Sequence, residues 1–147
     1  MKREHFPVLR ATHLRMNSAE TFELLTERIG EWWPLSSHGL FGAEATVFFE
    51  DGLLKERSPE GEITVWAEVT AWEPPRRIVL QWHPGRDRSA ASEVEFVLVP
   101  DEYGTRVELV HRGWERFGDD AETRRTGYAG ESTWGSVLDC LSGYPRA

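Results

Sequence analysis

The sequence predicts an α+β domain: a curved antiparallel sheet of about six to seven strands wrapped around a long C-terminal helix, with one or two short helices after the first strand. Three observations carry the prediction. Short β-forming runs separated by turn residues fill the stretch from Ala45 to Arg112, the pattern of an antiparallel meander. Within them apolar and charged residues alternate, so the sheet has one dry face and one wet face. Trp134, Val137, Leu138 and Leu141 then recur at helical spacing, giving an apolar stripe able to cover the dry face.

Taken in order, Val8 to Arg15 carries enough β-formers for a first strand. A short amphipathic helix follows, with Ser18 as its N-cap, Phe22, Leu25 and Ile29 on its apolar side, and a stop near Gly30. Pro34 removes a backbone donor and biases Trp33 away from helical geometry, so a loop is expected through His38 to Gly42. Thr46–Glu50 and Leu53–Arg57 flank Asp51-Gly52, a two-residue hairpin turn whose residues both tolerate positive φ. Ile63–Trp72, Arg77–Trp82, Ser92–Val99 and Thr105–Arg112 supply four more strands. Val94, Phe96 and Leu98 share one face with Val107, Leu109 and His111, opposite Glu93, Glu95, Arg106, Glu108 and Arg112.

At 147 residues the chain fits one domain, 1–147, long enough to bury about two thirds of its unfolded surface. A formal charge of −8 argues against nucleic acid, whose backbone is neutralised by clustered Lys and Arg. No apolar stretch approaches the ~20 residues of a membrane span, and Met1 to Phe6 lacks a signal peptide's apolar segment, so a cytoplasmic protein is expected. The lone Cys140 forms no internal disulfide and reads as a packing residue late in the last helix. None of the five histidines shows the i, i+4 pairing or cysteine partnership of a metal site. No nucleophile elbow, phosphate loop or dinucleotide fingerprint is present, so neither a cofactor nor a defined enzyme class is expected. A homodimer is compatible with the sequence, which carries no mark of oligomeric state.

Five landmarks stand in fixed order: Trp32-Trp33-Pro34 with His38; Trp72-Glu73-Pro74-Pro75; Leu80-Gln81-Trp82-His83; Gly104 to Leu109; and His111-Arg112-Gly113-Trp114. From Phe6 to Leu141 this order resembles bacterial proteins related to the C-terminal domain of the activator of the heat-shock-protein-90 ATPase, in the START or helix-grip (SRPBCC) superfamily. The resemblance implies the helix-grip fold and a cavity between sheet and C-terminal helix that accepts a small apolar or amphipathic molecule. It also implies two alternatives: an enzyme of cyclase, hydratase or hydrolase type in that cavity, or a co-chaperone. The co-chaperone reading ranks lower, because a chain of this size leaves no room for the separate N-terminal chaperone-binding domain.

Seven Trp and seven Phe are a heavy load of side chains that each bury on the order of 150–250 Å², and pockets are mainly apolar walls with a few polar groups. Trp33, Phe48, Trp82, Trp114 and Trp134 are therefore candidate walls, together with the inner-face Leu109 and His111; ordinary core packing is the other reading for each. Trp66 is the weakest candidate, since Val65, Ala67 and Val69 form the apolar face of its strand, and it is expected outside. His38 is a candidate polar group at the mouth, or else a loop-pinning hydrogen bond. His111 reads first as a hydrogen-bonded structural histidine. Extending the last helix's stripe backwards reaches Glu131, Gly130 and Gly127, so Glu131 is a candidate polar group beside a void, and Glu131 with His38 or His111 a conceivable acid–base pair; the other reading starts the helix near Glu131 and leaves Gly127 and Gly130 in a loop.

Overall fold

The computed structural model describes residues 6–144. Seven strands, β1 (Val8–Leu14), β2 (Thr46–Glu50), β3 (Leu53–Arg57), β4 (Ile63–Glu73), β5 (Arg77–Trp82), β6 (Ser92–Asp101) and β7 (Gly104–Arg112), make one antiparallel sheet. Its order is β1-β7-β6-β5-β4-β3-β2, a meander with the first strand returned to the far edge. Asp51 and Gly52 turn the first hairpin at φ 55° and 74°, which suits the right-handed twist of the flanking strands.

The inner face follows the expected alternation on β6 and β7, and β5 adds Ile78 and Leu80 to it. Leu80, Val94 and His111 lie side by side, as do Ile78, Phe96 and Leu109, and all six are buried. The wet face carries Arg77 on Glu73 and Glu95, and Arg112 on Glu93 and Glu95, half-exposed pairs of small net worth.

Strand β4 departs from alternation. Leu54 pairs with Ala67 but Lys55 with Val65, leaving Trp66 as the extra residue of a bulge; a second bulge leaves out Thr70. A bulge re-aims the side chain it inserts. Trp66 and Ala67 consequently both turn inward, 1% and 0% exposed, and the expectation that Trp66 lies outside is corrected. On β2, Val47 is buried and Phe49 packs on the core, whereas Phe48 faces the other way beneath the Arg57 guanidinium, 4.9 Å from its ring. Period two therefore removes Phe48 from the candidate wall.

Helix α1 (Ser18–Leu25) is capped by Asn17, whose side chain accepts the Glu20 N–H at 2.8 Å. Ser18, the expected cap, instead places its hydroxyl 3.2 Å from that of Thr105. The helix ends at Leu25, and Ile29 reaches the core from a separate 3₁₀ turn, Ile29–Glu31. After Pro34 a single-turn helix, α2 (Leu35–His38), occupies part of the expected loop.

The C-terminal covering segment comes in two pieces, α3 (Ala121–Ala129) and α4 (Ser136–Gly143), joined through a π turn, Glu131–Gly135. Extended backbone at Gly130 (ψ 150°) and a non-helical Thr133 (φ −104°, ψ −108°) make the break. Trp134, Val137, Leu138 and Leu141 nonetheless form the buried stripe, each at most 2% exposed. Glu31 ties this segment to the Trp-Trp-Pro loop by accepting from Arg28 and, at 2.7 Å, from the Tyr144 hydroxyl. No helix among the described residues is long and apolar enough to cross a membrane.

Candidate ligand-binding recess

Two buried polar side chains set the geometry around the tryptophans. The first is Glu56, which β3 delivers to the inner face with no exposure. Its carboxylate accepts the Trp66 indole N–H at 3.0 Å and the backbone N–H groups of Leu40 and Phe41 at 2.8 and 2.9 Å. One side chain thereby pins both the loop after α2 and an indole of the interior. The chain passes so close that a Cβ at Gly39 would lie 2.9 Å from the Glu56 Oε2 and from the Leu35 carbonyl, which explains a residue without one there.

Upstream, Trp32 donates its indole N–H to the Leu24 carbonyl (2.7 Å) and Trp33 to the His38 carbonyl (2.9 Å). Trp33 then lies 5.2 Å from Trp66 and 6.2 Å from both Trp82 and Trp134. His38 reaches across the mouth: its Nε2 donates to the Ser132 carbonyl at 2.6 Å. A carbonyl only accepts, so for the neutral ring Nδ1 takes the Ser37 hydroxyl proton at 2.7 Å.

The second anchor is His111, also with no exposure. The Trp134 indole N–H, which only donates, points at His111 Nδ1 at 2.9 Å; the ring's proton is therefore on Nε2, 2.6 Å from the Ser92 hydroxyl. Trp114 donates to the His111 carbonyl and stacks on the imidazole at 4.2 Å, with Tyr128 at 4.6 Å on its edge. Burial lowers the imidazole pKa from 6.5 to about 3, so the neutral tautomer is the folded form at neutral pH.

Between these anchors lies a partly open recess of about 170 Å³. Trp33, Trp82, Tyr128 and Trp134 supply its aromatic walls, Val137 and Pro84 further apolar surface, and His38 and Thr133 its polar rim. Behind Trp33 and Trp82 the interior is nearly solid, with a void of only about 10 Å³ among Leu25, Ile29, Leu54 and Leu80. The Thr133 hydroxyl bonds the carbonyls of Tyr128 and Gly130, both at 2.6 Å, which closes the end of α3.

Of the residues singled out from the sequence, Trp33, His38, Trp82 and Trp134 meet at this recess. Leu109, His111 and Trp114 sit fully buried behind it as packing and support, and Phe48 is on the opposite face of the sheet. The side chain of Glu131 lies outside the described residues. Tyr128, Thr133, Pro84 and Val137 join the recess without having been selected. A continuous helix would present Gly127 and Glu131 with Trp134; the break at Gly130 brings Tyr128 round instead, and a glycine inside a helical run was the available signal. Among the described residues no group of three His, Cys, Asp or Glu could hold a metal ion.

No curated protein matches the chain. Solved structures do. It is similar to an anthrahydroquino-γ-pyrone synthase, Txn09, at 29% identity and a TM-score of 0.62, with 98% of this chain and 99% of that one covered. The self-sacrificing resistance protein CalC from Micromonospora echinospora is 19% identical, with a TM-score of 0.62 and coverage of 93% and 92%. The Aha1 dimer from Colwellia psychrerythraea is 17% identical, with a TM-score of 0.57 and 95% of each chain covered; these last two likenesses are of fold. The family model described as activator of Hsp90 ATPase homolog 1-like protein matches residues 16–144, and the chain belongs to that family.

Proposed function

We propose that this protein binds a small planar apolar or amphipathic molecule, with one or two of its rings held between the sheet and α4. The observation that carries the reading is the meeting of four aromatic rings on one open recess of about 170 Å³. An apolar cavity of about 150 Å³ is enough for benzene, so a larger molecule would leave its remainder outside the mouth. Flat walls of indole favour a flat occupant, since stacked and edge-on aromatic contacts add to the gain from burial.

Because Trp33, Trp82 and Trp134 are all in the wall, intrinsic fluorescence reports occupancy directly. Titration with naphthalene and flavonoids should change the emission saturably, while fatty acids and sterols, lacking a flat aromatic ring, should compete poorly. An emission unaltered by every planar aromatic tried would overturn the reading.

A second reading, catalysis in the same recess, is favoured by the 29% identity to a synthase along the whole chain. In that case His111 is excluded as the proton-transfer group, since both its nitrogens are engaged in the interior, and His38 and Glu131 are the groups to test. Glu131→Gln should abolish turnover with little change in stability if Glu131 takes part; unaltered turnover would remove it.

A further inference from the structure

We propose that the Tyr128 hydroxyl is the donor that recognises the ligand, selecting planar aromatic molecules that carry a carbonyl or similar acceptor on the buried ring edge. This rests on the aromatic-binding reading above. The Trp82 indole N–H donates to the Tyr128 oxygen at 3.2 Å, and among the described residues the hydroxyl makes no other hydrogen bond. Its lone pair is used and its proton is not.

The other polar groups of the wall are committed. The indole N–H groups of Trp33 and Trp134 go to the His38 carbonyl and to His111. His38 uses both ring nitrogens, and Thr133 spends its proton on the carbonyls of Tyr128 and Gly130. Among the described residues the one side-chain donor left at the recess is Tyr128, and its ring is held in place against His111 and Trp114, at 4.6 and 5.5 Å. Accepting the Trp82 bond polarises the O–H and strengthens what it can donate. Burial also raises the phenol pKa above its ordinary value, so the group keeps its proton at neutral pH.

A hydrocarbon that fills the recess would cover this O–H without answering it, and a site built around a hydrogen bond discriminates against the analogue that cannot make one. Indane and 1-indanone differ by that carbonyl alone and suit calorimetric titration. The intact chain should bind 1-indanone about tenfold more tightly than indane. Tyr128→Phe should erase the ratio while leaving the affinity for indane within about twofold, which a merely structural role for Tyr128 would not do. Trp82→Phe, which keeps the hydroxyl, should still prefer 1-indanone. The proposal is overturned if Tyr128→Phe keeps the ratio, if it weakens both ligands equally, or if Trp82→Phe alone erases the preference, which would assign recognition to the indole. Indane binding without any preference in the intact chain defeats this proposal only. Failure of indane, 1-indanone and naphthalene alike to bind defeats the aromatic reading on which it rests.

Discussion

The two sides of the recess are anchored by different chemistry. On the loop side, Glu56 gathers three N–H donors, two from the backbone and one from Trp66. On the helix side, a neutral imidazole, His111, takes one indole proton and offers its own to Ser92. Both anchors are buried, and both fix an indole. The difference is that Glu56 meets its three partners purely as an acceptor, whereas the histidine must accept at one nitrogen and donate at the other, which it does only while it carries no charge.

The largest effect of breaking this comparison should come from Glu56→Ala. It orphans a buried indole N–H and two backbone N–H groups together and opens a gap beneath the loop after α2, at a cost on the order of 3 kcal/mol. Urea unfolding measures it. Glu56→Gln should recover only part, because the new amide turns a donor towards donors. Equal stability of Glu56→Ala and the intact chain would show that the loop does not depend on this anchor.

Next in size is His111→Phe, which keeps a ring on Trp114 but leaves the Trp134 indole N–H without its acceptor, for about 2 kcal/mol. Trp134 lines the recess, so this variant should also weaken ligand binding, whereas Glu56→Ala should alter the loop side first. Near-ultraviolet circular dichroism and the fluorescence titration separate the two.

Acid sharpens the same contrast. The folded pKa of His111 is about 3 and the unfolded value close to 6.5. Between these the unfolded chain binds the extra proton, so this stability is complete above pH 6.5 and is lost as pH falls towards 3. The limiting slope is about 1.4 kcal/mol per pH unit. The aromatic neighbours packed on the imidazole include one titratable group, Tyr128, which does not ionise in this window. Melts at pH 7.5 and 5.0 should show a larger loss for the intact chain than for His111→Gln; parallel losses would mean that other groups carry the acid sensitivity.

These anchors also show what could be read from the chain alone. The strand limits and the inner faces of β6 and β7 were legible because a residue spacing of two leaves little choice when one side is buried. The stripe of α4 was legible for the same reason at helical spacing. Trp66 was not, because a bulge inverts the phase of its strand and no residue type announces a bulge. Glu56 was not, because a lone Glu amid alternating residues reads as a wet-face residue until the donors of a distant loop converge on it. Tyr128 was not, because helical spacing leaves the start of the last helix open, and the side on which Tyr128 falls is decided by the break at Gly130 and Thr133.

The smallest effect should belong to His38, whose side chain bridges the mouth from α2 to the π turn. His38→Ala removes one hydrogen bond at a partly solvated carbonyl that water can satisfy, so stability should fall by only about 0.5–1 kcal/mol. Its consequence for binding is of another kind. With the tether gone, α2 and the segment before α4 separate more readily, and the ligand should leave faster without entering any faster, since the walls that attract it are unaltered. Stopped-flow displacement should therefore show a raised dissociation rate and an unchanged association rate. A change confined to association would instead make His38 a steering group at the mouth and leave the walls alone to hold the ligand.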